Sequence, residues 1–234
     1  LDYVASIFAL SRLGFAVLLL SNRLATEAYV HLLKGTNCRR IVNSENLSKA
    51  VARIRSELDI TSYPLLAQPD YDVRNAAIPR FPRRIGSSDQ SRKTAFIIHS
   101  SGSTGYPKPI FQTHEACLSN YSSSFGFRAF LTLPLYHNHG LSSFFRAIYS
   151  GKELAMFNAN LPLSGTNLIE AMAAVKPESF HGVPYALKLL AESERGIQAL
   201  KDCKLVLFGG SSCPDDLGDE LVNKGVYLVG HYGA

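Results

Sequence analysis

Two periodicities alternate along most of this chain. Stretches with apolar residues three or four apart read as helices, and short apolar runs bounded by Gly, Pro or Asn read as buried strands. Residues 2–13 are predicted helical and stopped by Gly14, and 15–20 form a buried strand. Residues 24–34 make a helix closed by Gly35, and 40–42 a short strand. Ser44 reads as the cap of an amphipathic helix carrying Leu47, Val51, Ile54 and Leu58. Residues 64–93 are punctuated by proline and lack either period, so they read as a long connection.

Beyond that connection, strands are predicted at 94–99, 129–133, 153–157, 179–181, 204–208 and 226–229, with a short extended stretch at 110–112. Helices are predicted at 114–124, 141–149, 167–175, 184–193 and 214–223. Such alternation implies crossover connections and an α/β fold of layered, largely parallel sheets covered by helices. The expected organisation is a first α/β portion at 1–63, a connecting segment at 64–93 and a second α/β portion at 94–234.

Composition changes this picture little. The 234 residues carry a net charge of +5, and six basic residues against Asp89 alone within 74–93 account for all of it. A basic cluster confined to a connection reads as a solvated linker, not a nucleic-acid surface. Cys38, Cys117, Cys203 and Cys213 form no Cys-x-x-Cys pair, which argues against a zinc site and a disulfide framework. Reduced thiols in a cytoplasmic protein are the expectation. Arg12 and Gly14 interrupt the apolar stretch 4–20, so neither a membrane span nor a secretory signal is expected. The chain starts at Leu1, in what reads as mid-helix, and is taken as a fragment of a longer protein.

The chemistry is concentrated in Ser100-Ser101-Gly102-Ser103-Thr104-Gly105-Tyr106-Pro107-Lys108-Pro109, directly after the apolar run Ala95-Phe96-Ile97-Ile98. Glycines allow close approach of backbone N–H groups, hydroxyls add donors, and Lys108 adds a point charge: together they suit phosphate oxygens. A Walker loop is excluded, because Lys108 lies between two prolines and cannot open a helix in that way. The three spaced glycines of a dinucleotide fingerprint are absent as well.

The ordered Ser-Gly-Ser-Thr-Gly-x-Pro-Lys-Pro pattern closely resembles the phosphate-binding signature of the adenylate-forming superfamily. That superfamily includes acyl-CoA synthetases, luciferases and the adenylation domains of peptide synthetases. Three further segments match it in order: Leu133-Pro134-Leu135-Tyr136-His137-Asn138-His139-Gly140, Phe208-Gly209-Gly210-Ser211-Ser212-Cys213-Pro214 and Gly230-His231-Tyr232-Gly233-Ala234. The wording of these segments resembles fungal synthetase-like carboxylic acid reductases, in which adenylation, carrier and nicotinamide-dependent reductase domains follow one another.

The resemblance implies a set of roles. Ser100, Ser101, Gly102, Ser103, Thr104, Gly105 and Lys108 would hold the β- and γ-phosphates of ATP. His137 would lie beside the acyl carboxylate, with Lys108 and His137 as catalytic residues. His137 and His139 merely capping a turn is the alternative. Asn138, His181, Gly182, Val183 and Gly209 would line the acid pocket, although a strand-to-helix turn explains His181–Pro184 equally well. Gly210, Ser211, Ser212, His231, Tyr232 and Gly233 would receive the adenine. Cys213 reads as a packing residue, and His99 as structural. His114 either starts a helix or bonds the loop.

The family's next two residues, threonine and a Mg²⁺-binding glutamate, would follow Ala234, so no metal ligand is assigned within this chain. The implied reaction is ATP- and Mg²⁺-dependent activation of a small carboxylic acid as acyl-adenylate with release of pyrophosphate. The acceptor would be a phosphopantetheine thiol on a carrier domain of the same parent chain, with NADPH used only if a reductase domain follows. An acyl-CoA ligase, or a fragment that only binds nucleotide, are the alternatives. Nucleic acid and membrane are not expected partners.

Overall fold

The computed structural model describes residues 1–71, 88–100 and 105–233. It falls into two compact units, Leu1–Cys117 and Leu118–Ala234.

In the first unit, helix α1 (Asp2–Arg12) leads through Gly14 to strand β1 (Val17–Leu18). There follow α2 (Thr26–Gly35), β2 (Arg40–Asn43), α3 (Ser48–Arg55) and β3 (Thr61–Pro64). Two single-turn helices, α4 (Gln68–Tyr71) and α5 (Ser88–Ser91), precede β4 (Thr94–His99), β5 (Pro109–Thr113) and α6 (His114–Tyr121). Strand β4 is central, parallel to β1 on one side and antiparallel to β5 on the other, while β2 and β3 form a separate parallel pair. Its continuous run of buried residues, Ala95 to His99, means that both faces of the strand are covered.

Val17 stands in register with Phe96, so the chain returns after 64–93 to the sheet it left. The structural division therefore falls after Cys117, within α6, and not at the predicted connection. Around α2 and α3, Tyr29, Val30, Leu33, Ile54 and Ile60 form a core. Ser44 does not cap α3. A 3-10 turn (Glu45–Leu47) intervenes, and the Ser44 hydroxyl bonds the Asn46 side chain instead. Strand β3 escaped the sequence reading because Thr-Ser-Tyr-Pro has no apolar alternation.

The second unit runs β6 (Ala129–Leu131), α7 (Asn138–Ser150), β7 (Leu154–Met156), α8 (Gly165–Val175) and β8 (Ser179–Gly182). It continues with α9 (Pro184–Ala191), α10 (Glu194–Lys201), β9 (Leu205–Gly209), α11 (Asp215–Asn223) and β10 (Leu228–His231). Its five strands are all parallel, in the order β10-β9-β8-β6-β7. Phe130, Phe180 and Val206 project to one face and bury against Leu168, Leu187, Leu190, Leu200 and Leu221 of the covering helices. Each such side chain stabilises the fold by about 1.5–3 kcal/mol relative to exposure. Alternation sends Ser179, His181 and Leu207 to the opposite face, where α7 lies.

The predicted helix 184–193 is α9, which ends at Ala191, and a further helix that was not predicted, α10, follows it. The Ser193 hydroxyl accepts the Gly196 N–H (3.1 Å) and starts α10, which the polar Ser-Glu-Arg-Gly run disguised as a turn. Among the described residues no helix is long and apolar enough to cross a membrane. All four cysteines are free.

Candidate functional site

In the first unit, β4 and β5 pair antiparallel with His99 opposite Pro109, and the hydroxyl- and glycine-rich segment is the stretch of sequence between them. Its base is closed twice. The Ser100 N–H donates to the Lys108 carbonyl (3.0 Å), and the Lys108 N–H donates to the Ser100 hydroxyl (3.1 Å). Gly105 has φ +134°, a conformation that side chains rarely adopt. Tyr106 stacks on His31 of α2 with ring centroids 5.1 Å apart, and the Lys108 side chain is exposed. Of the expected phosphate ligands, Ser100, Gly105 and Lys108 are thus placed on one loop; Ser101, Gly102, Ser103 and Thr104 lie outside the described residues. His99 is buried, its Nε2 accepting the Ser21 N–H (3.1 Å), which leaves Nδ1 to donate to the Ser100 carbonyl (3.3 Å). It ties β4 to the end of β1. His114 opens α6 with its backbone N–H on the Lys93 carbonyl (3.0 Å).

In the second unit, the C-terminal ends of β8, β9 and β10 bring Gly182, Gly209 and His231 side by side, the edge at which α/β sheets hold ligands. Gly209 is buried, and a Cβ there would meet the His231 carbonyl oxygen at 2.7 Å and His139 Nδ1 at 3.1 Å. Gly210 takes φ +89° to turn the chain out, beside Val183, which precedes α9. Ser211, Ser212, Tyr232 and Gly233 follow on the exposed rim. His137 occupies the N-cap position of α7, where its carbonyl accepts the Leu141 N–H (2.9 Å). Its side chain and that of Asn138 are exposed, and its ring tilts against Tyr136 at 4.7 Å.

His181 is deeply buried. Its Nδ1 lies 2.9 Å from the Ser143 hydroxyl and its Nε2 3.1 Å from the Ser179 hydroxyl, so both nitrogens are engaged, the first joining α7 to β8 and the second within β8. A ligand reaching this ring must displace a serine.

The histidine that faces inward is His139, for which the sequence suggests no role beyond the alternative of capping a turn. Its ring lies 4.8 Å from that of His231 and 6.1 Å from that of His181. Both of its nitrogens are buried and have no hydrogen-bond partner among the described residues. Burial, followed by the neighbouring His231, His181 and Arg146, pulls its pKa down to about 3. Burial, with Arg146 and His231, pulls His181 to about 4, and burial with Arg146 lowers His231. At neutral pH the three rings are uncharged.

One signal for this arrangement was available in the sequence. His139, Ser143 and Arg146 stand at i, i+4 and i+7, one stripe of α7, and they face polar Ser179 and His181 across the sheet. Arg146 is anchored by Asn120, donating from Nε to its carbonyl (3.1 Å) and from Nη2 to its side-chain oxygen (2.6 Å).

Comparison with known proteins gives the family and the fold. The family model described as AMP-binding enzyme matches residues 1–234. The chain is 29% identical over 244 residues to an adenylate-forming reductase of Aspergillus terreus, covering 97% of this chain and 23% of that protein. It is 28% identical over 152 residues to a 2-succinylbenzoate–CoA ligase of Listeria monocytogenes, covering 62% of this chain and 29% of the ligase. The solved luciferase-like enzyme of the mealworm Zophobas morio superposes with a TM-score of 0.80 at 20% identity, over 100% of this chain and 57% of that one. The chain thus spans about a quarter of the length of these curated relatives.

Proposed function

The chain belongs to the AMP-binding enzyme family, and from that membership we propose that it activates a carboxylic acid with ATP. A carboxylate oxygen attacks the α-phosphorus, the bond to the bridging oxygen of the β-phosphate breaks, and acyl-adenylate and pyrophosphate result. Both reactants are anions, so the protein's work is to place them in line and neutralise charge. The observation that supports the reading is the pair of bonds between Ser100 and Lys108, which brings together the two ends of the hydroxyl- and glycine-rich segment.

Ser100, Ser101, Gly102, Ser103, Thr104, Gly105 and Lys108 bind the β- and γ-phosphates in this proposal. His137 and the inward-facing His139 flank the acid's carboxylate at the strand ends, with Asn138, Gly182, Val183 and Gly209 shaping the surrounding space and His181 supporting it. Gly210, Ser211, Ser212, His231, Tyr232 and Gly233 receive the adenine. Mg²⁺ accompanies the triphosphate. Among the described residues no three His, Cys, Asp or Glu side chains are grouped to hold a metal ion.

The acyl group then passes to a phosphopantetheine thiol on a carrier domain of the parent protein, and NADPH enters only where a reductase domain follows. The likeness to the Listeria ligase favours a second reading, with coenzyme A as acceptor. The test is carboxylate-dependent exchange of labelled pyrophosphate into ATP by the full-length protein, with a broad acid panel. Exchange with any acid supports activation; ATP binding without exchange leaves nucleotide binding alone. Thioester on coenzyme A or on the carrier separates the two acceptors.

A further inference from the structure

A cleft of about 340 Å³ lies within the second unit, against the sheet face that α7 covers. Leu207 of β9, Val229 and His231 of β10, Phe125, Ser124 and Arg146 bound it. We propose that Arg146 selects the acid, favouring a short substrate with an acceptor oxygen at the end remote from the carboxyl being activated. This rests on the acid-activation reading above and names the substrate class for it.

The geometry sets the length. His231 stands at the strand end beside His139, and Leu207 and Val229, in register with each other, stand two residues back along their strands. Arg146 is seven residues along α7 from His139, about 10 Å between backbone positions at a rise of about 1.5 Å per residue. A helical side chain leans back toward the N-terminus, which brings the guanidinium nearer the imidazole, on which it acts electrostatically. An acid whose carboxyl lies by His139 therefore brings its far end to Arg146, with Phe125, Leu207 and Val229 against its apolar middle. The volume is near the small end for ligand sites, which suits a short acid.

Charge sets the chemistry. A guanidinium has five N–H donors, and Asn120 takes one from Nε and one from Nη2. No carboxylate among the described residues lies within ion-pair distance of Arg146. Burial draws its pKa down, opposed by Tyr121, and the histidines nearby are neutral. A half-buried cation without a counter-anion is costly, and a ligand oxygen at this position offsets the cost.

The full-length protein tests this with two matched pairs of acids in the exchange assay: succinate against butyrate, and para-hydroxybenzoate against para-methylbenzoate. Wild type favours the oxygen-bearing member of at least one pair in kcat/KM, by roughly tenfold to a hundredfold. Which pair discriminates tells a carboxylate from a hydroxyl. Arg146→Gln collapses that ratio and Arg146→Lys retains part of it, with circular dichroism reporting folding. If Arg146→Gln does not fold, Asn120→Ala, which releases the guanidinium from its anchor, reads the same ratio. A wild-type preference for the oxygen-free acids, or a ratio unmoved in folded variants, overturns the assignment of Arg146. Failure of every acid to support exchange overturns the acid-activation reading, and this inference with it.

Discussion

The hairpin loop between β4 and β5 and the polar seam beneath α7 both carry groups suited to anions, in opposite ways. The loop is local, nine residues from Ser100 to Lys108, with its cation exposed and its two ends joined by two bonds at the base. The seam is assembled from distant positions, His139, Ser143 and Arg146 on α7, Ser179 and His181 on β8, and His231 on β10. It is buried, so each polar group needs a partner or must stay neutral. A loop of the first kind can be altered at the expense of function alone. In the seam, function and stability are coupled.

The largest expected effect separates these two behaviours. Lys108→Ala in the full-length protein lowers pyrophosphate exchange about 10²–10³-fold, because a charge aimed at departing phosphate acts mainly in the transition state. The urea midpoint stays at the wild-type value, since the side chain is exposed. Wild-type exchange sinks the phosphate assignment; a large drop in midpoint sinks the contrast.

On the seam side, Gly140→Ala is next. A Cβ at Gly140 would stand 2.3 Å from the Pro134 carbonyl oxygen, which is backbone and cannot swing aside. The entry of α7 must shift, at about 1–3 kcal/mol, and His139 moves with it. A fall in midpoint together with lost exchange is expected. An unchanged midpoint means that the entry of α7 has slack and that the seam is loosely built.

The same contrast explains what could be read from the sequence. Strand β4 and its loop were legible because an apolar run of strand length and a motif lie next to each other, with no partner needed to interpret them. The alternation of β6 to β10 with helices was legible for the same local reason. The pairing of β1 with β4 across residues 64–93 was not, because strand partners are a tertiary choice and the connection carries no period. His137 drew attention by its motif, whereas the structure turns His139 inward. A helix places every third or fourth residue on one face, and only the packing of α7 on the sheet decides which face is buried. His181 likewise reads as a pocket residue until Ser143 and Ser179 are seen to occupy both its nitrogens.

The pH dependence of stability isolates the seam. His139 and His181 have folded pKa values of about 3 and about 4, below the ordinary 6.5. Their contribution is therefore complete above about pH 6.5 and is lost as pH falls toward the folded values, because the unfolded chain takes up protons first. Each ring adds a slope of at most about 1.4 kcal/mol per pH unit in that window. Glu178 is held at about 2, chiefly by the Lys204 hydrogen bond and the Arg128 N–H, so its contribution is lost only below its ordinary 4.5. Urea midpoints measured between pH 7 and 5 thus report the histidines. His139→Leu flattens the slope there, and an identical slope in the variant means that His139 is not held neutral in the folded protein.

Ser100→Ala is the smallest change and the sharpest on the loop. It removes the hydroxyl that accepts the Lys108 N–H, but the backbone bond from the Ser100 N–H to the Lys108 carbonyl survives. Water can reach the exposed loop and replace the lost acceptor, so the expected cost in stability is about 0.5–1.5 kcal/mol. If the hydroxyl serves only the loop base, exchange falls less than in Lys108→Ala, because Lys108 keeps its charge and loses only part of its positioning. If exchange falls equally, with the midpoint unmoved, the hydroxyl itself contacts phosphate. The loop base would then be held by the backbone bond alone, and Ser100 would join Lys108 among the groups that act on the leaving pyrophosphate.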